Sequence, residues 1–441
     1  MLKTKPHLLA VLMSAALLAA CGDSTTQIVE KEPIPVEDDH DHDEESGVGR
    51  LAISDKDSPV LRLYGLEDKE LVEQFDLLAS PEYLYASPTF RYALAVHRTS
   101  DKVQFIDGGV YAEDHGDHQH GYEEEPSLLS FQLSGVRPTH VQTNSSQVAI
   151  FNDGLAASNL PASAVVLTDE QIGQAATDYP VLQLSTYQHG AAQARGDYLL
   201  ATLRDAGATG TLPDKVGLFH AHGDHYHDEE VFADSCPSLH GSAQTEDWIA
   251  FGCSDGVLLI EQDGDSFSSK KLANTADFTG TMRIGTLEAH PAVEHFVGIA
   301  GTSLFAVDAE HEQLDKIDWP ITTGATIAGY GFSASGDHFV LLDSAGYLSI
   351  LHYKGHEAEP AFSLASKIQV ATNLSAMPTG SALQLSLSAG AEQAFVLNPA
   401  SKTLQTVELE SAQISTTLEL DYTPHKLVWL GVAGETEEHS H

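Results

Sequence analysis

Four histidines recur at a spacing that fixes the architecture of this chain. His140, His189, His240 and His290 lie 49, 51 and 50 residues apart, and each introduces the same order of short apolar runs. The first unit reads Pro138-Thr139-His140-Val141, pauses at Asn144-Ser145-Ser146, resumes as Val148-Ala149-Ile150-Phe151 and turns at Asn152-Asp153-Gly154. It continues as Ala164-Val165-Val166-Leu167 and Val181-Leu182-Gln183-Leu184. These are four strand-like segments, rich in β-branched and aromatic residues and bounded by turn formers. A four-stranded unit of about fifty residues cannot bury its faces alone and must stack on its neighbours, which is the sequence signature of a β-propeller.

Further units begin near Tyr83, Ala328 and Ala382. The chain closes with one strand, residues 425–430, and opens with three, at 50–53, 61–64 and 72–75. One plus three completes a blade, and that closure removes the free sheet edges that invite aggregation. The expected fold is all-β: a single β-propeller over residues 48–433, ring closed by the C-terminal strand. Eight four-stranded blades fit best, with seven as the alternative because the units after His290 drift from the pattern.

The N-terminus places the chain in the cell envelope. Lys3 and Lys5 precede an apolar run at 8–20, too short to span a bilayer and suited to a signal peptide. It ends in Leu18-Ala19-Ala20-Cys21, which resembles a bacterial lipobox, so residues 1–20 read as a lipoprotein signal and Cys21 as the lipidated N-terminus. Gly22 stands where an inner-membrane retention signal carries Asp, which points to the outer membrane, on its periplasmic face or at the cell surface. No other segment is apolar enough to span a bilayer, leaving the lipid as the membrane attachment. Residues 22–47 are acidic, poor in apolar side chains and sprinkled with His, a disordered tether that is either a plain linker or a weak metal-collecting arm. Residues 434–441 form a similar tail. In an oxidising compartment Cys236 and Cys253 read as a disulfide, the competing reading being a metal site of Cys236 with His240.

Charge narrows the partners. Asp and Glu total 64 against 22 Lys and Arg, a net −42, which repels nucleic acid and draws in cations. The 23 histidines supply imidazole, the commonest metal ligand. Equivalent blade positions converge on a propeller axis, so His140, His189, His240 and His290, with His425 in the closing blade, can share one site. Zinc takes three or four such ligands, and three of these four suit it better than all. The bland alternative is that His merely suits a turn at this position. A second set lies in a duplicated hexapeptide, His115-Gly116-Asp117-His118-Gln119-His120 and His222-Gly223-Asp224-His225-Tyr226-His227, the latter extended by His220. In an extended chain His118 and His120, or His225 and His227, point the same way, with Asp117 and Asp224 as ligands or orienting groups. Both copies follow a third strand and should sit on the face opposite the first set, as mobile loops suited to capture and hand-over. Isolated histidines such as His295, His311, His338 and His352 read as solvated or internally satisfied; His97 is the exception, since it ends a strand leading toward the first hexapeptide loop. There is no phosphate-binding glycine loop, nucleophile elbow or HExxH helix. Zinc binding without catalysis is therefore favoured over a metal-dependent hydrolase or lyase, or a propeller scaffold that binds another protein.

Several motifs carry a family resemblance. Arg91-Tyr92-Ala93-Leu94-Ala95-Val96, Val103-Gln104-Phe105-Ile106-Asp107-Gly108-Gly109, Glu113-Asp114-His115-Gly116-Asp117-His118, Arg137-Pro138-Thr139-His140, Cys236-Pro237-Ser238-Leu239-His240-Gly241 and Phe251-Gly252-Cys253-Ser254-Asp255-Gly256 resemble the AztD-type zinc metallochaperones. The resemblance covers most of the chain after residue 80 and touches the 115–120 loop, His140 and His240. It implies an envelope β-propeller that binds Zn(2+) and passes it to the solute-binding protein of a zinc ABC transporter; the chain itself is expected to be a monomer. The lipobox departs from a freely diffusing chaperone and favours a tethered one.

Overall fold

The computed structural model describes residues 49–114, 119–355 and 358–434. The lipobox and Cys21, the tether, His115, Asp117, His118 and most of the C-terminal tail lie outside these residues. The described chain is built almost wholly of short strands, running from Gly49–Asp55 to Pro424–Gly431.

The strands form six four-stranded sheets, one eight-stranded sheet and a two-stranded ribbon. The eight-stranded sheet is two antiparallel four-stranded halves, one starting at Pro138–Thr143 and the other at Ala192–Arg195, joined by a single parallel pairing of Val181 with His225. The ribbon, Val110–Asp114 with Gln119–Glu123, is an insertion before the fourth strand, Ser127–Ser134, of the sheet that starts at Tyr83–Ala86. Pro424–Gly431 pairs with Gly49–Asp55, with Leu51 opposite Trp429 and Ile53 opposite Leu427, so the two ends of the described chain complete one sheet.

Burial explains why alternation is weak in the sequence. Second strands such as Tyr92–His97, Val148–Asn152 and His338–Asp343 are buried along their whole length. A strand covered on both faces reads as a continuous apolar run. Fourth strands such as His225–Val231 and Gln413–Glu419 are exposed and polar. Each apolar cluster straddles two consecutive sheets. Phe105 packs with Ile150, Phe151 with Phe219, Leu200 with Phe251, and Leu259 with Phe296. The succession returns to its start, since Phe395 and Leu397 pack with Trp429 and Leu51, while Leu61 and Leu63 pack with Ala93 and Ile106. Full burial of each such side chain stabilises by about 1.5–3 kcal/mol. First strands follow the same succession, Pro424–Gly431 lying against both Gln384–Leu387 and Tyr83–Ala86. Sheets stacked face to face around an axis in this way form a β-propeller.

Cys236 and Cys253 are bonded, 2.02 Å between sulfurs, across 17 residues of one unit. Their sulfurs are therefore not thiolate ligands, and the Cys236–His240 metal reading is set aside. The bond ties the segment leading into His240 to the end of the buried strand Trp248–Cys253.

Candidate metal centre

Three of the periodic histidines meet. His140 is the third residue of Pro138–Thr143, where a bulge separates its pairing with Phe151 from that of Pro138 with Asn152. His189 and His240 stand just before the first strands Ala192–Arg195 and Ser242–Gln244. Their backbones are fixed, His189 N donating to Thr211 O at 2.8 Å and His240 N to Gly252 O at 2.9 Å. His140 Nε2 lies 3.2 Å from His189 Nε2, which lies 3.1 Å from His240 Nε2. The ring centroids are 4.7, 5.1 and 5.5 Å apart, and the rings are mutually tilted rather than stacked. Tetrahedral zinc at about 2.0–2.1 Å from nitrogen separates its donors by roughly 3.3–3.4 Å. The nitrogens of this cluster are thus already near the spacing that one ion requires.

The opposite ring nitrogens are also engaged. His189 Nδ1 is 3.0 Å from Asp153 Oδ2, and His240 Nδ1 is 2.7 Å from Gly285 O. A proton held on each Nδ1 leaves Nε2 with a free lone pair, the arrangement that orients metal-binding imidazoles. Asp153 is held in turn by Arg98, whose Nη2 donates to Oδ2 at 2.9 Å while its Nε donates to Thr139 Oγ1 at 2.8 Å. Burial alone would raise the Asp153 carboxyl, but His189 and Arg98 hold it below the usual range. Burial first, then the neighbouring imidazoles, pushes His140 down to about 4, and burial likewise lowers His240. The neutral, ligating form is therefore favoured. Beside His189 lies a depression of ≈240 Å³ whose lining includes Arg98, Arg137, Asp153 and Tyr187. The larger hollow, ≈540 Å³, is lined by residues including His295, Asp308 and Phe362 and shares none with the cluster.

His290 stays outside the group. It ends the strand Thr286–His290 instead of preceding it, and its Nδ1 accepts from Ala292 N at 3.2 Å. The register gives the reason. Gly252 precedes Cys253, which pairs with Gly256 across a hairpin; Ile299 precedes Ala300, which pairs with Ser303 in the same way. Gly252 O accepts from His240 N and Ile299 O from Gly285 N, so Gly285, not His290, holds the corresponding place. His425, in the closing sheet, is pushed down to about 4 by burial and by Lys426 and Lys56, and is not among the converging histidines.

The second hexapeptide folds as a hairpin of Lys215–His222 and His225–Val231. His222, His225 and His227 bring their donor atoms within 4.8 Å of one another. His220 pairs with His227 across the hairpin, but its ring packs on Tyr198 at 4.9 Å. In the first copy, His120 lies on the ribbon strand Gln119–Glu123, its backbone opposite Glu113.

Two features escape the sequence. Asp153 reads there only as a turn residue, and its partner His189 is 36 residues away. A further group, His338 with Glu392 and Glu410, also lies close. There, the hydrogen bond to Glu392 raises the His338 pKa, while His338 and Ser335 outweigh burial to lower that of Glu392. In that group the His338 Nδ1 lies 3.2 Å from Glu392 Oε2, so a hydrogen bond occupies that imidazole nitrogen.

Fold and cluster together define a β-propeller with a candidate tri-histidine metal centre. No family model matches the chain. Over 220 residues, half of this chain and half of the relative, it is 26% identical to the zinc chaperone AztD of Citrobacter koseri. The matched stretch thus spans about half the length of that curated relative. Among solved structures it is similar to the apo form of AztD from Citrobacter koseri, at 19% identity and TM-score 0.74, covering 88% of this chain and 100% of that one. A second crystal structure of Citrobacter koseri AztD gives 19% identity and TM-score 0.75, over 89% and 100%. The family resemblance carried by the sequence motifs and the fold similarity lead to the same relative.

Proposed function

We propose that this protein is an envelope zinc carrier that takes up zinc at His140, His189 and His240 and delivers it to the solute-binding protein of a zinc ABC transporter. The observation that carries this reading is the convergence of three imidazole Nε2 atoms from three successive units, with adjacent contacts of 3.2 and 3.1 Å. The similarity to a protein named as a zinc chaperone supports zinc as the metal and a carrier as the role. We place the carrier at the outer membrane through a lipid on Cys21, and read it as a monomer. We also read the ring as eight blades, counting the six four-stranded sheets and the two halves of the eight-stranded one.

The test is zinc titration of untagged protein followed by timed transfer to a purified zinc solute-binding protein. His140→Ala/His240→Ala should lose a tight equivalent and the delivery that depends on it. Binding and delivery equal to those of the natural protein would overturn the reading. The depression beside His189 leaves room for a small substrate near the candidate ion, and three histidines plus water is also how hydrolytic zinc is held. Turnover by the zinc-loaded protein in a hydrolase or lyase screen would favour that enzyme reading. Loss of neither zinc nor delivery on removing the histidines would favour a scaffold.

A further inference from the structure

We propose that the hairpin tip bearing His222, His225 and His227 is a second metal site, separate from the central cluster, for zinc or a similar borderline divalent cation. A two-residue turn, Gly223-Asp224, joins its strands, and Gly223 has φ +67°, the left-handed conformation that a tight hairpin turn demands at this point. That turn sets His222 opposite His225. His227, two residues further along the same strand, projects to the same side. His225 Nε2 lies 3.2 Å from His227 Nε2, and the His222 ring is 5.3 Å from that of His227 and 5.8 Å from that of His225. Asp224 Oδ1 is 2.9 Å from His225 Nδ1, which directs the other nitrogen of that ring into the group.

Three further features separate this group from a chance cluster on a loose loop. The tip is anchored: Val181 N donates to Asp224 O at 3.0 Å, and Val181 pairs with His225 across the junction of the two sheet halves. In this copy the sequence-based expectation of a loop gives way to paired strands held by a neighbouring unit. Second, all three are exposed, so water or a donor from another protein can complete a tetrahedral ion. Third, the group is at the far end of its sheet from His189. His189 precedes Ala192–Arg195, whereas His220 pairs with Tyr198 just beyond the other end of that strand. Asp228, Glu229 and Glu230, exposed on the same hairpin, add cation-attracting charge. The site is preformed like a structural one and open like an exchangeable one.

Cobalt, whose visible absorption reports tetrahedral coordination, is the probe, used with the untagged full-length chain. His140→Ala/His240→Ala should retain a cobalt spectrum that disappears when His225→Ala/His227→Ala is added. In the natural background, His225→Ala/His227→Ala should lose one equivalent and the faster phase of metal release to a chelator, with circular dichroism unchanged. Asp224→Asn, a positioning change, should weaken only that equivalent, roughly tenfold. Stoichiometry, release phases and spectrum all unaltered by His225→Ala/His227→Ala would overturn the proposal. Because the two pairs of substitutions act on different equivalents, failure of the hairpin site leaves the carrier reading standing, and the reverse also holds.

Discussion

At the scale of single residues, surroundings decide what each histidine does. An unperturbed imidazole protonates near 6.5, so a site of ordinary histidines would shed zinc as the pH falls through that value. The sequence suggests this behaviour for the whole set. Burial and its two neighbours instead push His140 down to about 4. For a base with a depressed pKa, the neutral form persists to lower pH, so protons compete with the metal later. Protons should therefore displace zinc from His140 at lower pH than from an ordinary histidine, and some zinc should stay bound below about pH 6. Dialysis at stepped pH with metal analysis checks this, and release complete by about pH 6 would contradict it. The converging histidines were legible because their type and period are visible in the chain. Asp153 was not, because its role depends on Arg98 and His189 meeting it in space and no local pattern records that meeting.

Elements were legible where hydrophobic runs and turn residues agree. The strand order of the first unit, the closing strand and the disulfide position could all be read. His290 marks the limit: its spacing of 50 from His240 fits the period, yet strand register shifts it to the other end of the inner strand. Sequence spacing counts residues through loops, whereas a site depends on position within a strand. The hairpin was likewise seen as a pattern but not as a fixed element, since Val181 on the adjoining sheet half supplies its anchor. At this scale the disulfide offers a clean test. By constraining the unfolded chain over a 17-residue separation, it should contribute about 3 kcal/mol. Cys236→Ser/Cys253→Ser should lower urea-unfolding stability by about that amount. Unchanged stability would mean that the unfolded chain gains little from the bond.

For the whole molecule, closure is the central constraint. Pro424–Gly431 supplies the first strand of a sheet otherwise built from residues 49–76, and it buries Trp429 and Leu430 between neighbours. Deleting residues 424–441 should abolish soluble expression, and Trp429→Ala should cost about 3–5 kcal/mol. Soluble yield and denaturant unfolding check both, and a truncated protein with unchanged melting would refute the closure argument. The central cluster bears on the same ring. His140, His189 and His240 belong to three separate units of the chain, and Gly285, in a fourth, holds the His240 ring. An ion bound there would act as a rivet through consecutive sheets, so the protein would make its ligand part of its own architecture. Letting go would then require neighbouring sheets to part slightly, and residence time would be governed by the breathing of the ring as well as by the strength of metal–nitrogen bonds.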